Sequence, residues 1–306
     1  MKLQKRAKIC LCVSLAIMVI AAVLSLCGLG INFGIDFAGG LNIQYDMGAA
    51  FEQADVEEAL RSLGISEFTV SSSGTDGSGL QIRVPALNGE DEIQTLQSGL
   101  EEALLPQYPN MNTDTATASY VGPVAGKVLI QNAVWSVVIA SALMLIYIAI
   151  RFDLASGLAA VIGLVHDVLM MLAFMVILRS VVQMNSSYIA AMLTIVGYSI
   201  NNTIIIFDRV RENKRKLGEA DRDAVVETSV KECLGRTINT TLTTLVTILA
   251  LYILGVSSIK EFCLPIIVGI LSGAYSANLI NGYVWAALEG LFAGKKQPAK
   301  AARAQA

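Results

Sequence analysis

The sequence predicts a polytopic α-helical membrane protein with six transmembrane helices. A small α+β extracytoplasmic domain of ferredoxin-like pattern sits between helices 1 and 2. Three observations predict this. The 306 residues are 54% hydrophobic and only 15% charged, too apolar and charge-poor for an ordinary soluble domain. The apolar residues gather into six runs long enough to cross a hydrocarbon core. A hydrophilic stretch, about 41–128, separates the first run from the second.

The first run, about 9–31, follows Lys2, Lys5, Arg6 and Lys8. It exceeds the apolar core of a signal peptide and no small-residue cleavage site follows, so it reads as a retained anchor. The remaining runs are about 131–150, 157–178, 187–207, 237–256 and 262–288. Lys and Arg set the orientation. With the N-terminus cytoplasmic, seventeen of the 22 basic residues fall on the inside, which places both termini in the cytoplasm. The resulting domain plan is an N-terminus and first helix over 1–31, an extracytoplasmic domain over 32–130 and a five-helix bundle over 131–292. A cytoplasmic loop at 208–236 and a cytoplasmic tail at 293–306 complete it.

The hydrophilic stretch carries its own periodicities. Leu41 to Tyr45 alternates like a strand, and Asp55 to Leu63 puts Val56, Leu60 and Leu63 on one helical face. Strands are expected at 68–70 and 80–84, split by a turn-rich segment from Ser72 to Gly77. Ile93, Leu96, Leu100 and Leu104 mark a second helix, and 115–121 a last strand. The order β-α-β-β-α-β is the ferredoxin-like pattern. The acidic residues here read as solvated helix faces.

Several functions are disfavoured. One His and no His/Cys metal spacing predict no metal site, and no nucleophile–base constellation predicts covalent catalysis or a cofactor. Cys10, Cys12, Cys27, Cys233 and Cys263 all lie outside the hydrophilic domain, so no disulfide framework is expected there. The run from Gly34 to Gly40 lacks the Lys-Ser/Thr of a phosphate loop. Its glycines, Gly34, Gly39 and Gly40, suit a tight exit from the first span, with Asp36 capping that turn. The basic residues from Arg209 to Lys216 flank a membrane helix, which fits anionic lipid headgroups and not nucleic acid.

Polar residues inside the apolar runs are the candidate site. The fourth run holds Tyr198-Ser199-Ile200-Asn201-Asn202-Thr203 near its middle, where a side chain must face a partner helix or a wet cavity. Thr194, Tyr198 and Asn202 recur at i, i+4, i+8 and share one face. His166-Asp167 sits inside the third run, an expensive pair unless partnered. Neighbouring positions point about 100° apart, so one is expected to face the bundle and the other a loop or interface. Arg236 opens the fifth run, followed by Thr240, Thr243 and Thr247. Gly269 and Gly273 match the small-xxx-small spacing of close helix contact.

Taken in order, Gly34 to Gly40, Val121-Gly122-Pro123-Val124-Ala125-Gly126, the segment around His166-Asp167, the stretch from Gly197 to Asn213 and Gly235-Arg236-Thr237 resemble the SecF family. These are membrane subunits of the Sec preprotein-export machinery, within the resistance-nodulation-division superfamily. The resemblance implies a SecD partner with a similar six-helix unit, docking to the SecYEG channel, a translocating preprotein as client, and a place in the cytoplasmic membrane among its lipids. It also implies use of an H⁺ or Na⁺ gradient; one charge crossing roughly 100 mV releases about 2.3 kcal/mol.

The residues depart from the family at one position. Where it usually has Ser-Ile-Asn-Asp-Thr, this chain has Asn202, which cannot titrate. Three readings follow: Asn202 lines a pathway whose carboxylate lies on SecD, it is an interhelical hydrogen-bond anchor, or another acid such as Asp167 or Asp36 takes over. Arg236, whose family counterpart is linked to the proton pathway, either pairs with a SecD carboxylate or snorkels to the surface. Two other functions compete with ion-driven export: a passive scaffold holding SecD on the channel, and a small-solute efflux subunit.

Overall fold

The structure is a computed structural model describing residues 3–73, 77–85, 90–180, 182–217, 221–255 and 257–292. The expected tail at 293–306 and part of the Ser72–Gly77 turn lie outside the described residues. The elements are α1 (Leu3–Leu26), α2 (Ile35–Ala38), β1 (Gly40–Asp46), α3 (Gln53–Ser62), β2 (Thr69–Ser73), β3 (Gly79–Val84) and α4 (Glu90–Leu104). They continue with β4 (Asn112–Val121), α5 (Pro123–Arg151), α6 (Leu154–Ile177), α7 (Ser186–Leu217), α8 (Arg222–Leu254) and α9 (Ser257–Tyr275). A π-helical turn at Ser276–Asn281 interrupts the last helix, which resumes to Phe292.

Six helices among the described residues are long and apolar enough to cross a membrane, so the chain is a polytopic helical membrane protein. Three boundaries differ from the sequence reading. α1 ends at Leu26, short of the first run's end at 31, because Gly28 at φ +82° turns the chain out of the helix. α5 begins at Pro123, eight residues before the second apolar run, because Lys127 and Gln131 are good helix formers and Pro suits a first helical turn. The segment read as a cytoplasmic loop, 208–236, is mostly helix: α7 runs on to Leu217 and α8 starts at Arg222. Asp221 caps α8 by accepting from the Ala224 N–H at 3.0 Å.

The hydrophilic domain is a four-stranded antiparallel sheet in the order β2-β3-β1-β4. Register pairs Leu41 with Val84 and Ile43 with Ile82. Period-two alternation puts Leu41, Ile43, Tyr45, Leu80, Ile82 and Val84 on one face. Val56 and Leu60 of α3, and Leu96, Leu100 and Leu104 of α4, close over that face to form an apolar core. The opposite face carries Asn42, Gln81 and Arg83; Gln81 Nε2 donates to Asn42 Oδ1 at 3.1 Å.

The bundle is asymmetric. α6, α7 and the last span hold its buried centre, whereas α1, α5 and much of α8 present valine, leucine and isoleucine outward. α9 packs on α7 through the small stripe. A Cβ on Gly269 would stand 2.4 Å from Ile195 Cγ1, and one on Gly273 3.1 Å from Ser199 Cβ. The stripe therefore serves a contact within this chain.

A network at one end of the bundle ties the domain to the helices. Phe33 bridges to Met184, and the Met184 N–H donates to Asn32 O at 2.7 Å. Asp36 does not cap its own turn: its carboxylate reaches across to accept from the Ser186 N–H at 2.8 Å, at the start of α7. Gly34 is the extended N-cap of α2. Gly40 has φ +135°, and a Cβ there would meet Val84 O at 2.5 Å, so only glycine fits where α2 turns into β1. Arg83 on β3 pairs with Glu261 of α9 at 3.2 Å, and Asn185 donates to the other Glu261 oxygen at 2.7 Å. Burial pulls the Arg83 guanidinium below its ordinary range, with Glu261 and then Asp36 opposing that pull.

Candidate functional site

α6 carries His166 and Asp167 into the centre of the bundle, 8% and 1% exposed. The sequence reading expected only one of them to face inward. Both are enclosed because α6 is packed by α1, α7 and α9 together. His166 Nδ1 lies 2.9 Å from Asp167 Oδ1. Three serine hydroxyls complete the carboxylate's shell. Ser272 donates to Oδ1 at 3.0 Å, Ser276 to Oδ2 at 2.9 Å, and Ser199 of α7 also donates to Oδ2. A charge this deep is tolerated only when partnered, and four neighbours meet that requirement.

A second buried polar group lies beside the first. The π-helical turn brings Ser276, Asn278 and Asn281 inward, the effect of one extra residue in a helical turn. Asn281 Nδ2 donates to Thr203 Oγ1 at 2.9 Å, and Thr237 Oγ1 of α8 donates to Asn278 Oδ1 at 3.0 Å. Gly163 of α6 makes room for Asn281, whose amide would lie 2.3–2.6 Å from a Cβ there.

Asn202 is fully buried, and neither end of its amide has a hydrogen-bond partner among the described residues. The α7–α8 contacts Tyr198–Thr241 and Ile205–Cys233 bracket it. Its proposed face-mates separate. Thr194 is exposed and bonds back to Ala190 O, while half-buried Tyr198 donates to Thr241 Oγ1 at 3.3 Å. Arg236 is exposed on α8 and has no ion pair among the described residues, so Asn202 and Arg236 are not brought together within this chain. Thr240, Thr243 and Thr247 lie on that exposed side and bond back into their own helix. Gly122 is the extended N-cap before Pro123 at the start of α5.

At the end of α7 the charged exit becomes an ion-pair cluster. Arg209 Nε donates to Glu232 at 2.6 Å, and Asn213 donates to Glu232 at 2.7 Å and to Ser229 at 3.1 Å. Arg151 pairs with Asp208 at 3.2 Å and Lys214 with Glu289 at 2.7 Å. Sequence reasoning missed Ser14, Ser272, Tyr275, Ser276, Asn278 and Asn281. The signal was available: the last apolar run carries Ser272 and Ser276 one turn apart, then two asparagines. Among the described residues no group of three or more His, Cys, Asp or Glu is placed to hold a metal.

Six helices, an extramembrane sheet domain between the first two, and a polar layer buried in the bundle define a subunit of a membrane transport machine. The family of protein export membrane protein SecD/SecF, C-terminal, matches residues 102–290, and the SecD/SecF GG motif matches 24–48. The protein translocase subunit SecF of Rickettsia bellii is 36% identical over 265 residues, covering 87% of this chain and 84% of that protein. The SecDF subunit of Bacillus subtilis is 34% identical over 274 residues, 89% of this chain and 36% of that one. The crystal structure of SecDF from Thermus thermophilus superposes with a TM-score of 0.78 at 32% identity. It is matched over 96% of this chain, which spans 39% of that SecDF chain. The chain belongs to the SecD/SecF family of protein-export membrane proteins.

Proposed function

We propose that this chain is an accessory subunit of the Sec preprotein translocase that works beside SecD, using an ion gradient to complete export across the cytoplasmic membrane. The observation that carries the reading is the Asp167–His166 pair held inside the bundle by hydroxyls from α7, α9 and the π-helical turn. Ionisable groups at that depth are the usual mark of an ion pathway. The membrane pathway is assigned to Asp167, His166, Asn202, Tyr198 and Arg236, with Arg236 and the outer face of α8 turned to SecD. Relatives that carry SecD and SecF in one chain support that partner. SecYEG, the moving preprotein and the surrounding lipids are the remaining partners.

Both termini are assigned to the cytoplasm on the Lys/Arg distribution, which puts the sheet domain outside. The βαββαβ order and the sheet order β2-β3-β1-β4 support a ferredoxin-like fold for that domain. Its link to α9 and α7 through Arg83, Glu261, Asn185 and Asp36 supports a route by which helix movement reaches the exported chain.

A second reading, a passive scaffold for SecD, is favoured by the non-titrating Asn202 and by Arg236 forming no ion pair among the described residues. The deciding experiment is a pulse-chase of a secreted preprotein in cells depleted of the chain and rescued with it or with Arg236→Ala. Rescue by the parent alone, with Arg236→Ala still co-purifying with SecD, supports ion coupling. Equal rescue by both supports the scaffold.

A further inference from the structure

We propose that Asp167 and His166 together hold one exchangeable proton, gained and lost along a hydrogen-bonded relay from Ser14 through Tyr275. The assignment deepens the ion-coupling reading above and rests on it for its purpose.

The relay crosses three helices. Ser14 of α1 lies 2.8 Å from the Tyr275 hydroxyl, which lies 3.1 Å from His166 Nε2. His166 Nδ1 is in turn 2.9 Å from Asp167 Oδ1. The two rings meet edge to face at 86°. Every member can both give and accept a proton or hydrogen bond.

The outer end of the relay meets a cavity of about 330 Å³ between α1, α6 and α9. Its walls are apolar side chains such as Met170, Phe174 and Leu271, and its polar residues include Ser14, Ser272 and Tyr275.

The bonds admit two arrangements. In the loaded one, Ser14 Oγ donates to Cys10 O at 3.0 Å and accepts from Tyr275, whose oxygen accepts from His166 Nε2–H. The single hydrogen between His166 Nδ1 and Asp167 Oδ1 is then the extra one, on the acid beside a neutral imidazole or on an imidazolium beside a carboxylate.

Unloading removes that proton and reverses the chain. His166 then donates from Nδ1 to the carboxylate and accepts at Nε2 from Tyr275. Tyr275 accepts from Ser14, and Ser14 leaves the Cys10 carbonyl. Only O–H and N–H bonds are made and broken, and one H⁺ passes through Ser14 at each loading or unloading. Serines 199, 272 and 276 go on donating to the carboxylate in both states.

The groups facing the pair are few. They are Tyr275 of α9, with Cys10 of α1 acting on it, and the hydroxyls of Ser199, Ser272 and Ser276. Among the described residues no lysine, arginine or second carboxylate pairs with Asp167.

The test uses the full chain in complex with SecD. Dicyclohexylcarbodiimide, an apolar reagent for protonated carboxyl groups, is applied across a pH series and the adducts are mapped by mass spectrometry. Labelling is expected at Asp167, rising as pH falls and absent in Asp167→Asn. Tyr275→Phe keeps the ring and loses the hydroxyl; after a pH jump its labelling is expected to respond at least about tenfold more slowly. The proposal is overturned if Asp167 is unlabelled at every pH, if Na⁺ protects it at constant pH, or if Tyr275→Phe responds at the parent rate. An unlabelled Asp167 in a chain that still restores export removes this proposal and leaves the export reading standing. Labelling as expected in a chain that export does not need removes the export reading instead.

Discussion

Asp167 and Asn202 are equally deep in the bundle, yet their surroundings are opposite. Asp167 is met by an imidazole and three hydroxyls from neighbouring elements. Asn202 offers a donor and an acceptor, and neither is answered among the described residues. Burial alone therefore does not mark a structural polar residue. Asp167 is built into the fold, and its loss strips partners from four other side chains. Among the described residues the Asn202 amide makes no hydrogen bond, so the cohesion of the bundle does not draw on it.

The largest effect should come from the built site. Asp167→Leu is expected to cost about 3–5 kcal/mol, because it leaves buried donors without an acceptor. Thermal unfolding of the purified protein in detergent measures it, and a loss below about 1 kcal/mol would erase the contrast with Asn202. Next comes the α7–α9 seam. Gly269→Val drives a side chain into Ile195 and should cost about 1–3 kcal/mol. The same unfolding assay tests it, and an unchanged transition would mean that the two helices separate freely.

Glu261→Gln should follow, at about 1–3 kcal/mol of local stability, since Arg83 and Asn185 both rely on its carboxylate. Hydrogen exchange should quicken around 183–188 while amides in β1 and β3 stay protected. The smallest effect is expected at Asn202→Leu, within about 1 kcal/mol of the parent, because removing an unpaired amide relieves as much as it takes away. A large destabilisation there would show that the amide is structural after all.

Much of this was legible in the sequence, for physical reasons that differ by region. The spans could be read because hydropathy and membrane insertion share the same energetics; each of the six runs overlaps one long helix, the first overshooting α1 at its end. The sheet domain could be read because Leu80, Ile82 and Val84 alternate with period two while Leu96, Leu100 and Leu104 repeat every turn. The helical ends could not. The charges after Phe207 mark where the apolar run ends, not where the helix ends, and Arg, Lys and Glu extend α7 by about three further turns. His166-Asp167 was singled out on burial cost, but its partners Ser199, Ser272 and Ser276 come together only once α6, α7 and α9 pack. Asp36 was misassigned for the same reason, since its partner at Ser186 is 150 residues away.

The most direct test of the account is export itself. Cells depleted of this chain would be rescued with the parent, Asp167→Asn or Asn202→Leu, with SecD co-purification as the check on assembly and a pulse-chased preprotein as the readout. The account predicts that the parent restores export and that Asp167→Asn assembles with SecD yet leaves the preprotein stalled. Export at the parent rate through an assembled Asp167→Asn complex would contradict it.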